Sequence, residues 1–189
     1  MQGNLRGQPK VVAVTNQKGG VGKTTTTINL AAALAEQQLS VLIIDLDPQG
    51  NASTGLGIDR EVRLSTIYDV LLDGSALQKS ILETNIENVS IIPSTTDLSS
   101  ADVELMAQER RSFLLKNALN SGRDVSSVFD FVLIDCPPSL NLLTVNAMVS
   151  ADSIVVPLQS EFFALEGLSQ LLLTVREVRQ SANPNLRGE

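Results

Sequence analysis

The sequence carries the stretch NQKGGVGKTT at residues 16–25, between an apolar run and a helical pattern. The run before it, residues 11–15, is short and β-branched, as expected of a buried parallel strand that delivers a loop to a sheet's carboxyl edge. After it, residues 24–38 repeat apolar side chains at helical spacing, with no glycine or proline inside. The stretch is therefore a glycine-rich loop that opens a helix.

A loop of this kind is suited to binding phosphate. Closely spaced glycines let backbone N–H groups turn inward around phosphate oxygens, and the helix N-terminus adds a favourable dipole. Lys23 would reach the β- and γ-phosphates of a nucleotide, and the Thr24 hydroxyl would ligate Mg²⁺. The strict pattern G-x-x-x-x-G-K-[ST] is not met, because Gln17 occupies the first glycine position. The expected nucleotide contacts are Lys18, Gly19, Gly20, Val21, Gly22, Lys23, Thr24 and Thr25.

Carboxylates follow two other apolar runs. Residues 41–44 lead into Asp45 and Asp47, and residues 131–134 lead into Asp135. A carboxylate that ends a buried strand is costly to desolvate unless a cation or hydrogen-bond donors meet it, and Mg²⁺ beside a triphosphate is such a cation. We expect Asp135 to hold Mg²⁺ through water, with Asp45 behind it outside the direct ligands.

Asp47 lies farther out and is followed by Pro48. In that position it can face the γ-phosphate and orient or deprotonate the attacking water. A plainer interpretation is that Asp45 and Asp47 only cap the next turn, since Asp-Pro and Gln-Gly-Asn are good turn formers. For Lys18 the plain alternative is a solvated lysine in a surface loop.

Two motifs resemble a known family. Residues 18–25, KGGVGKTT, resemble the deviant Walker A motif of the MinD/ParA class of P-loop ATPases. Residues 45–53, DLDPQGNAS, resemble the switch I segment of the ParA/Soj chromosome- and plasmid-partition ATPases. The resemblance runs from Lys10 to about Arg187, with landmarks at residues 92–94, 135–138, 156–159 and 161–167.

The resemblance implies roles for particular residues. It implies ATP and Mg²⁺ as cofactors, and a homodimer in the ATP state in which Lys18 crosses to the partner's nucleotide. It also implies that Asp47 serves hydrolysis and that Pro137 contributes to the nucleotide site. The catalytic residues would be Lys18, Lys23 and Asp47.

The function implied is ATP hydrolysis by a sandwich dimer that drives DNA segregation. A ParB-like centromere-binding protein would stimulate hydrolysis, and the ATP dimer would bind DNA without sequence preference. Two alternatives are a MinD-like regulator that positions cell division and a nucleotide-gated binding module with negligible turnover. The sequence of residues 45–53 argues against the MinD-like alternative.

Charge and length weigh against DNA binding by this chain. The formal net charge is −7, so DNA phosphates repel the chain unless its basic residues are focused on one face, and they are scattered. Members of the family continue beyond a point like residues 183–186 with a strand, a basic segment and part of the adenine pocket. We therefore expect this chain to lack the family's C-terminal segment, with weak DNA binding and reduced adenine selectivity.

Composition indicates one globular domain. With 189 residues and 43% hydrophobic content, we expect a flexible arm at residues 1–9 and an ATPase domain at 10–189. A single cysteine, Cys136, and no histidine exclude a disulfide scaffold and a zinc cluster, so Cys136 is expected to be a small buried residue. Neither a membrane span nor a signal-peptide hydrophobic region is present in the sequence, which predicts a cytoplasmic protein without membrane contact.

The alternation of strands and helices predicts an α/β fold with a doubly wound, mainly parallel sheet and helices on both faces. Strands are predicted at 11–15, 41–46, 88–92, 131–135 and 153–157, and helices at 24–38, 66–72, 99–120, 141–149 and 166–180. Thr66 with Asp69 should form a capping box, Gly74 should end that helix, and Ser99 or Ser100 should cap the next.

Overall fold

The computed structural model describes residues 8–73, 77–121, 123–159 and 164–188. Within these ranges the chain forms one seven-stranded sheet, in the order β3-β4-β2-β5-β1-β6-β7. Three predictions fall wholly or partly outside the described residues. They are most of the amino-terminal arm, the helix end at Gly74, and the landmark that begins at Glu161.

The sheet is parallel except at one edge, where β3 runs antiparallel to β4. The strands are β1 (Lys10–Val14), β2 (Val41–Asp45), β3 (Leu82–Glu83), β4 (Val89–Ile92), β5 (Phe131–Asp135), β6 (Ser153–Val155) and β7 (Arg187–Gly188). The predicted doubly wound, mainly parallel sheet is confirmed. The edge strands β3 and β7 were not predicted, because two residues carry too little pattern to indicate a strand.

Helices cover both faces of this sheet. They are α1 (Lys23–Glu36), α2 (Asn51–Gly55), α3 (Ile67–Asp73), α4 (Leu98–Leu105), α5 (Leu114–Ser121), α6 (Arg123–Val128), α7 (Leu142–Ser150) and α8 (Ala164–Ser181). Along β2, Val41 and Ile43 pack into one apolar cluster with α1 and α2, whereas Leu42 and Ile44 pack into a larger cluster with α3, α4, α5, α7 and α8. Alternate side chains of a strand point to opposite faces, so each central strand contributes to two cores. Among the described residues, no helix is both long enough and apolar enough to cross a membrane.

The prediction of one long helix at 99–120 is wrong. The chain forms α4 and α5 instead, and between them Arg110 takes a left-handed backbone conformation with φ of 55°. The buried side chain of Asn146 accepts a hydrogen bond from the Leu115 N–H at 3.2 Å and donates one to the Arg111 carbonyl at 2.8 Å. Those two backbone groups would bond to each other in a continuous helix. The Asn146 amide is therefore inserted into the helical ladder where the long helix breaks.

The predicted helix caps had mixed outcomes. At the start of α3, the Thr66 N–H donates to Asp69 at 2.8 Å and the Tyr68 N–H donates to the Thr66 hydroxyl at 3.3 Å, which confirms the capping box. At α4 the prediction is wrong, because Asp97 is the N-cap residue and its side chain makes no capping hydrogen bond. Ser99 and Ser100 lie inside the first turn of that helix.

Candidate functional site

The sheet order brings three predicted site segments together. β5 lies between β1 and β2, and Asp135 is in register with Val14 at the end of β1 and with Asp45 at the end of β2. The glycine-rich loop leaves β1, so it lies beside both carboxylates at the carboxyl edge of the sheet. Ligands of doubly wound sheets bind at this edge. We call residues 16–25 the phosphate loop and residues 45–50 the acidic turn.

The phosphate loop is fixed at its start by Asn16, a residue that the sequence did not single out. Its buried side chain donates to the Pro157 carbonyl at 2.8 Å and accepts from the Lys18 N–H at 3.0 Å. On the far side of the loop, the Gln159 side chain donates to the Gly20 carbonyl at 3.2 Å. The segment after β6 therefore fixes the position of the loop.

Helix α1 begins at the end of this loop. Its N-cap residue is Gly22, whose φ of 87° lies in the left-handed region that favours glycine. No atom lies within 4 Å of a Cβ built at Gly19, Gly20 or Gly22, so the space in front of the loop is open. Because Gly22 has no side chain, it cannot itself cap the N–H groups of the first turn, which remain suited to an anion.

Lys23 is buried at the first position of α1, with 7% of its surface exposed. Its ammonium group donates to the Lys18 carbonyl at 3.0 Å, so the side chain bends back across the loop. Burial lowers the pKa of Lys23, and the nearby charges of Asp135 and Asp47 oppose that shift. Lys23 thus stands between the loop and both acids, as a phosphate-binding lysine requires.

Asp135 is fully buried and bonded to hydroxyl groups of α1. Its carboxylate accepts from Thr24 Oγ1 at 2.7 Å and from Thr27 Oγ1 at 3.2 Å. Burial raises the pKa of Asp135 to about 7, and the charge of Asp45 adds to the increase. The pairing of a hydroxyl with a carboxylate beside a phosphate loop provides the oxygen ligands that Mg²⁺ prefers.

Asp45 is held by the start of α2 rather than by the loop. One carboxylate oxygen accepts from the Ser53 N–H at 2.8 Å and from the Ser53 hydroxyl at 2.6 Å, and the other accepts from the Asp47 N–H at 3.3 Å. Desolvation raises the pKa of Asp45 to about 6, against the effect of the Ser53 hydrogen bonds. Asp45 thereby connects the acidic turn to a helix that the sequence analysis did not predict.

Asp47 lies beyond the end of β2 and is 8% exposed. Its carboxylate accepts from the Gln49 N–H at 2.9 Å, and its carbonyl accepts from the Gly50 N–H at 2.9 Å. Asp47 therefore does form a turn, as the plainer interpretation predicted. The same residue lies close enough to Lys23 to affect its pKa, so turn formation does not exclude a role at the phosphate.

The other predicted site residues are placed as follows. Val21 is buried and Thr25 is exposed in the first turn of α1, while Pro137 is buried just beyond β5. The hydrogen bonds of the described residues connect Pro137 to neither the loop nor the acidic turn. Cys136 is buried as predicted; its N–H donates to the Val14 carbonyl at 3.1 Å, and burial raises the pKa of its thiol.

An open cavity of about 530 Å³ lies against the outer side of the phosphate loop. It is lined by the loop, by the first two turns of α1 and by Gln159. Within the described ranges, no group of three or more His, Cys, Asp or Glu side chains could hold a metal ion by itself. A cation at Thr24 and Asp135 would therefore depend on additional ligands from phosphate or water.

The fold and the loop define a P-loop nucleoside triphosphatase, and comparison with known proteins narrows the class. A family model described as an AAA domain (AAA_31) matches residues 9–188. The chain is 54% identical over 177 residues to the chromosome partitioning protein ParA of Caulobacter vibrioides, covering 94% of this chain and 66% of that protein. It is 49% identical over 180 residues to the sporulation initiation inhibitor protein Soj of Bacillus subtilis, covering 95% of this chain and 70% of that protein. The chain belongs to the ParA/Soj family of P-loop ATPases.

The chain is shorter than its relatives and similar in structure to a solved protein. The chain spans 62% of the ParA of Myxococcus xanthus, with 48% identity over 180 residues that make up 95% of this chain. Among solved structures, a cobyrinic acid a,c-diamide synthase from Mycobacterium smegmatis with bound ADP and magnesium superimposes with a TM-score of 0.89. That match has 40% identity and covers 95% of this chain and 72% of the other.

Proposed function

We propose that this chain binds Mg·ATP at the phosphate loop and hydrolyses it, as the catalytic portion of a ParA-type partition ATPase. The observation that carries the proposal is the meeting of Lys23, Thr24 and Asp135, joined by the 2.7 Å hydrogen bond between Thr24 and Asp135. Phosphoryl transfer to water depends on in-line placement and on neutralising charge at the γ-phosphate oxygens. Lys23, together with a cation at Thr24 and Asp135, would neutralise that charge.

The loop residues from Gly19 to Thr25 hold the triphosphate in this proposal. Lys23 supplies positive charge to the β- and γ-phosphates, and the N–H groups of Gly19 to Thr25 surround the phosphate oxygens. The Thr24 hydroxyl and Asp135 would hold Mg²⁺, which would supply positive charge that neutralises the phosphates. The open cavity beside the loop offers space for the nucleoside.

Asp47 is the residue we assign to the attacking water. It lies within the electrostatic reach of Lys23, and its turn is anchored by Asp45 and Ser53. A carboxylate held in a fixed turn can orient water without losing its own position when the phosphate departs. Asp45 would support Asp47 through the turn rather than ligate Mg²⁺ directly.

Lys18 is assigned to the partner's nucleotide in an ATP-dependent homodimer. Its backbone is fixed on both sides, by Asn16 at its N–H and by Lys23 at its carbonyl. A residue with a fixed backbone and a half-buried side chain at the rim of the loop is well placed to reach across an interface. We further propose that a ParB-like partner stimulates hydrolysis. The longer proteins of the family would bind DNA without sequence preference.

Steady-state phosphate release with Mg·ATP tests the enzyme assignment. We expect turnover by the wild-type chain and its loss in Asp47→Ala, while a non-hydrolysable ATP analogue binds both proteins alike. Turnover that is unaffected by Asp47→Ala would remove the catalytic assignment. Nucleotide binding with no turnover in either protein would instead favour a nucleotide-gated binding module.

Sedimentation tests the assignment of Lys18. Lys18→Ala should block the closed dimer or its hydrolysis, while ATP still binds to the monomer. Lys23→Ala is the matched loop variant, and it should lose nucleotide binding itself. If both variants lose nucleotide binding equally, the role of Lys18 in the partner's site is wrong.

A further inference from the structure

Arg63 is a buried arginine that the proposed mechanism does not use; 7% of its surface is exposed. Its Nε donates to the Ile58 carbonyl at 3.1 Å, and its Nη1 donates to the Ser94 carbonyl at 3.0 Å. Its Nη2 donates to Thr54 Oγ1 at 2.9 Å and to the Ile58 carbonyl at 2.6 Å. All of these acceptors are uncharged oxygens. Arg60, three residues earlier, is exposed.

These hydrogen bonds connect three separate segments. Thr54 belongs to α2, Ile58 to the loop after it, and Ser94 to the segment just beyond the end of β4. A buried guanidinium is costly unless its donors are satisfied, and its planar fork can satisfy several at fixed angles. Arg63 is therefore a rigid brace between α2 and the sheet.

The brace lies against the acidic turn at Gly50. A Cβ built on Gly50 would lie 2.6 Å from Nη1 of Arg63 and 3.0 Å from the Ser94 carbonyl oxygen. Gly50 also has a φ of 63°, and its N–H closes the turn by donating to the Asp47 carbonyl at 2.9 Å. The guanidinium is thus in contact with the backbone that sets the direction of Asp47.

The end of β4 is tied to the acids by a second route. The Ser94 N–H donates to the Ser53 hydroxyl at 3.1 Å, and that hydroxyl donates to Asp45 at 2.6 Å. Ser94 therefore accepts from Arg63 at its carbonyl and donates towards Asp45 from its N–H. Both acids of the turn depend on the same point of the sheet.

We propose that Arg63 is a positioning residue for hydrolysis. Its guanidinium fixes the Gly50 end of the acidic turn against Ser94, so that Asp47 keeps its direction towards the phosphate loop. The inference rests on the proposed function, because it gives Arg63 a purpose only if Asp47 acts on the attacking water. Among the described residues, the hydrogen bonds of Arg63 go to Ile58, Ser94 and Thr54 and to no residue of the phosphate loop.

The test compares Arg63→Met with Arg63→Lys, with Arg60→Met as the exposed control and Asp47→Ala as the reference. For each protein we would measure kcat by phosphate release, the affinity for a non-hydrolysable ATP analogue, and Tm. We expect Arg63→Met to lower kcat on the order of 10- to 100-fold, as a displaced reacting group does. The affinity should remain within about threefold of wild type. Arg63→Lys should recover part of kcat because it keeps the charge and one donor nitrogen, and Arg60→Met should change nothing.

Three outcomes would overturn the inference. The first is a wild-type kcat in Arg63→Met while Asp47→Ala is inactive. The second is a loss of kcat that follows the folded fraction and disappears at low temperature, which would make Arg63 purely structural. The third is full activity of Asp47→Ala, which refutes the proposed function itself and is recognised separately. If Arg63→Met does not fold, Arg63→Lys decides: a lower kcat at unchanged affinity supports the inference, and an unchanged kcat refutes it.

Discussion

The phosphate loop and the acidic turn meet at one edge of the sheet, yet they are held in different ways. The loop relies on a glycine in a left-handed conformation, on a lysine that bonds to a carbonyl five residues away, and on the segment after β6 at Pro157 and Gln159. The acidic turn relies on side chains from other elements, namely Ser53 of α2 and Arg63, both of which reach the end of β4 at Ser94.

This difference separates binding from turnover. The supports of the loop lie within it and in the segment after β6, and none of them belongs to the acidic turn. A turn that is fixed by distant side chains can be displaced without disturbing the loop. Apart from Lys18, whose proposed role is in the partner's site, substitutions in the loop should therefore change nucleotide affinity. Substitutions around the turn should change the rate of hydrolysis or the stability of the edge.

The largest expected effect is at Lys23. Lys23→Ala removes the buried cation between Asp135 and Asp47, and truncating one member of a buried charged set costs about 2–5 kcal/mol. We expect the affinity for a fluorescent ATP analogue to fall by about 30-fold or more. The exposed Lys79→Ala is the control and should bind as wild type. Equal affinities in the two variants would show that the loop binds phosphate through its backbone alone.

Ser53→Ala should produce the next largest effect. It should weaken the acidic turn and leave the phosphate loop unchanged. It deletes the hydroxyl that donates to Asp45 at 2.6 Å and accepts from the Ser94 N–H at 3.1 Å. The buried Ser94 N–H then loses its partner, and that oxygen of Asp45 keeps only the Ser53 N–H. We expect the free energy of unfolding to fall by about 1–3 kcal/mol in urea titrations, with little change in analogue affinity. Ser99→Ala, on the exposed side of α4, is the matched control. A similar loss in both variants would contradict the anchoring role of Ser53.

The affinity for Mg·nucleotide should depend on pH through the buried carboxylate of Asp135. The pKa of Asp135 is raised to about 7, so its proton must leave before it can help to hold Mg²⁺. Affinity for Mg·nucleotide should therefore rise with pH and level off above about 7, and at pH 6 it should be about tenfold lower, after correction for ionisation of the nucleotide. Asp45→Asn removes a charge that raises this pKa and should move the midpoint to lower pH. Isothermal titration calorimetry at several pH values measures both, and a midpoint unaffected by Asp45→Asn would contradict the coupling.

The same raised pKa affects the nucleotide-free chain in the opposite direction. Asp135 ionises near its ordinary pKa of 3.8 when unfolded and near 7 when folded. Between these values the folded state holds the additional proton, so its stability falls as pH rises and is constant above the folded pKa. Urea titrations across this range provide the companion measurement.

The smallest expected effect lies beyond the acidic turn, at the capping box of α3. Thr66→Ala removes the hydroxyl that accepts from the Tyr68 N–H, and loss of a helix cap costs about 1 kcal/mol. Thermal unfolding should show a modestly lower Tm, with nucleotide affinity and kcat unchanged in the folded protein. A loss of kcat at unchanged Tm would extend the network around Arg63 to α3.

The sequence predicted the site residues that are marked by the residues next to them in the chain. Asp45 and Asp135 each end a continuous apolar run, and Lys23 follows closely spaced glycines, so their meeting at one edge follows from a parallel sheet. Ser53 and Arg63 carry no such signal, because their partners are chosen by the tertiary structure. Arg63 lies in a polar stretch that resembles a solvated loop, and its bond to Ser94 spans 31 residues.

The break between α4 and α5 was missed for the same reason. Apolar residues recur at helical spacing on both sides of the polar stretch at residues 108–112, and that stretch contains no glycine or proline to signal a break. The residue that interrupts the helix, Asn146, comes 31 residues after Leu115. Pattern analysis reports what a segment favours in isolation. It does not report a side chain that arrives from another helix and takes over the backbone groups.

The amide of Asn146 also suggests where the chain can be altered. By joining Leu115 to Arg111, it starts α5 independently of α4, and residues 107–110 form a surface bend outside that junction. Extra residues inserted at this bend would lengthen a loop at little entropic cost and leave both helices in place. A short fluorophore-binding tag at residues 108–109 would therefore label the protein far along the chain from the phosphate loop, for use in imaging and in energy-transfer assays of subunit association.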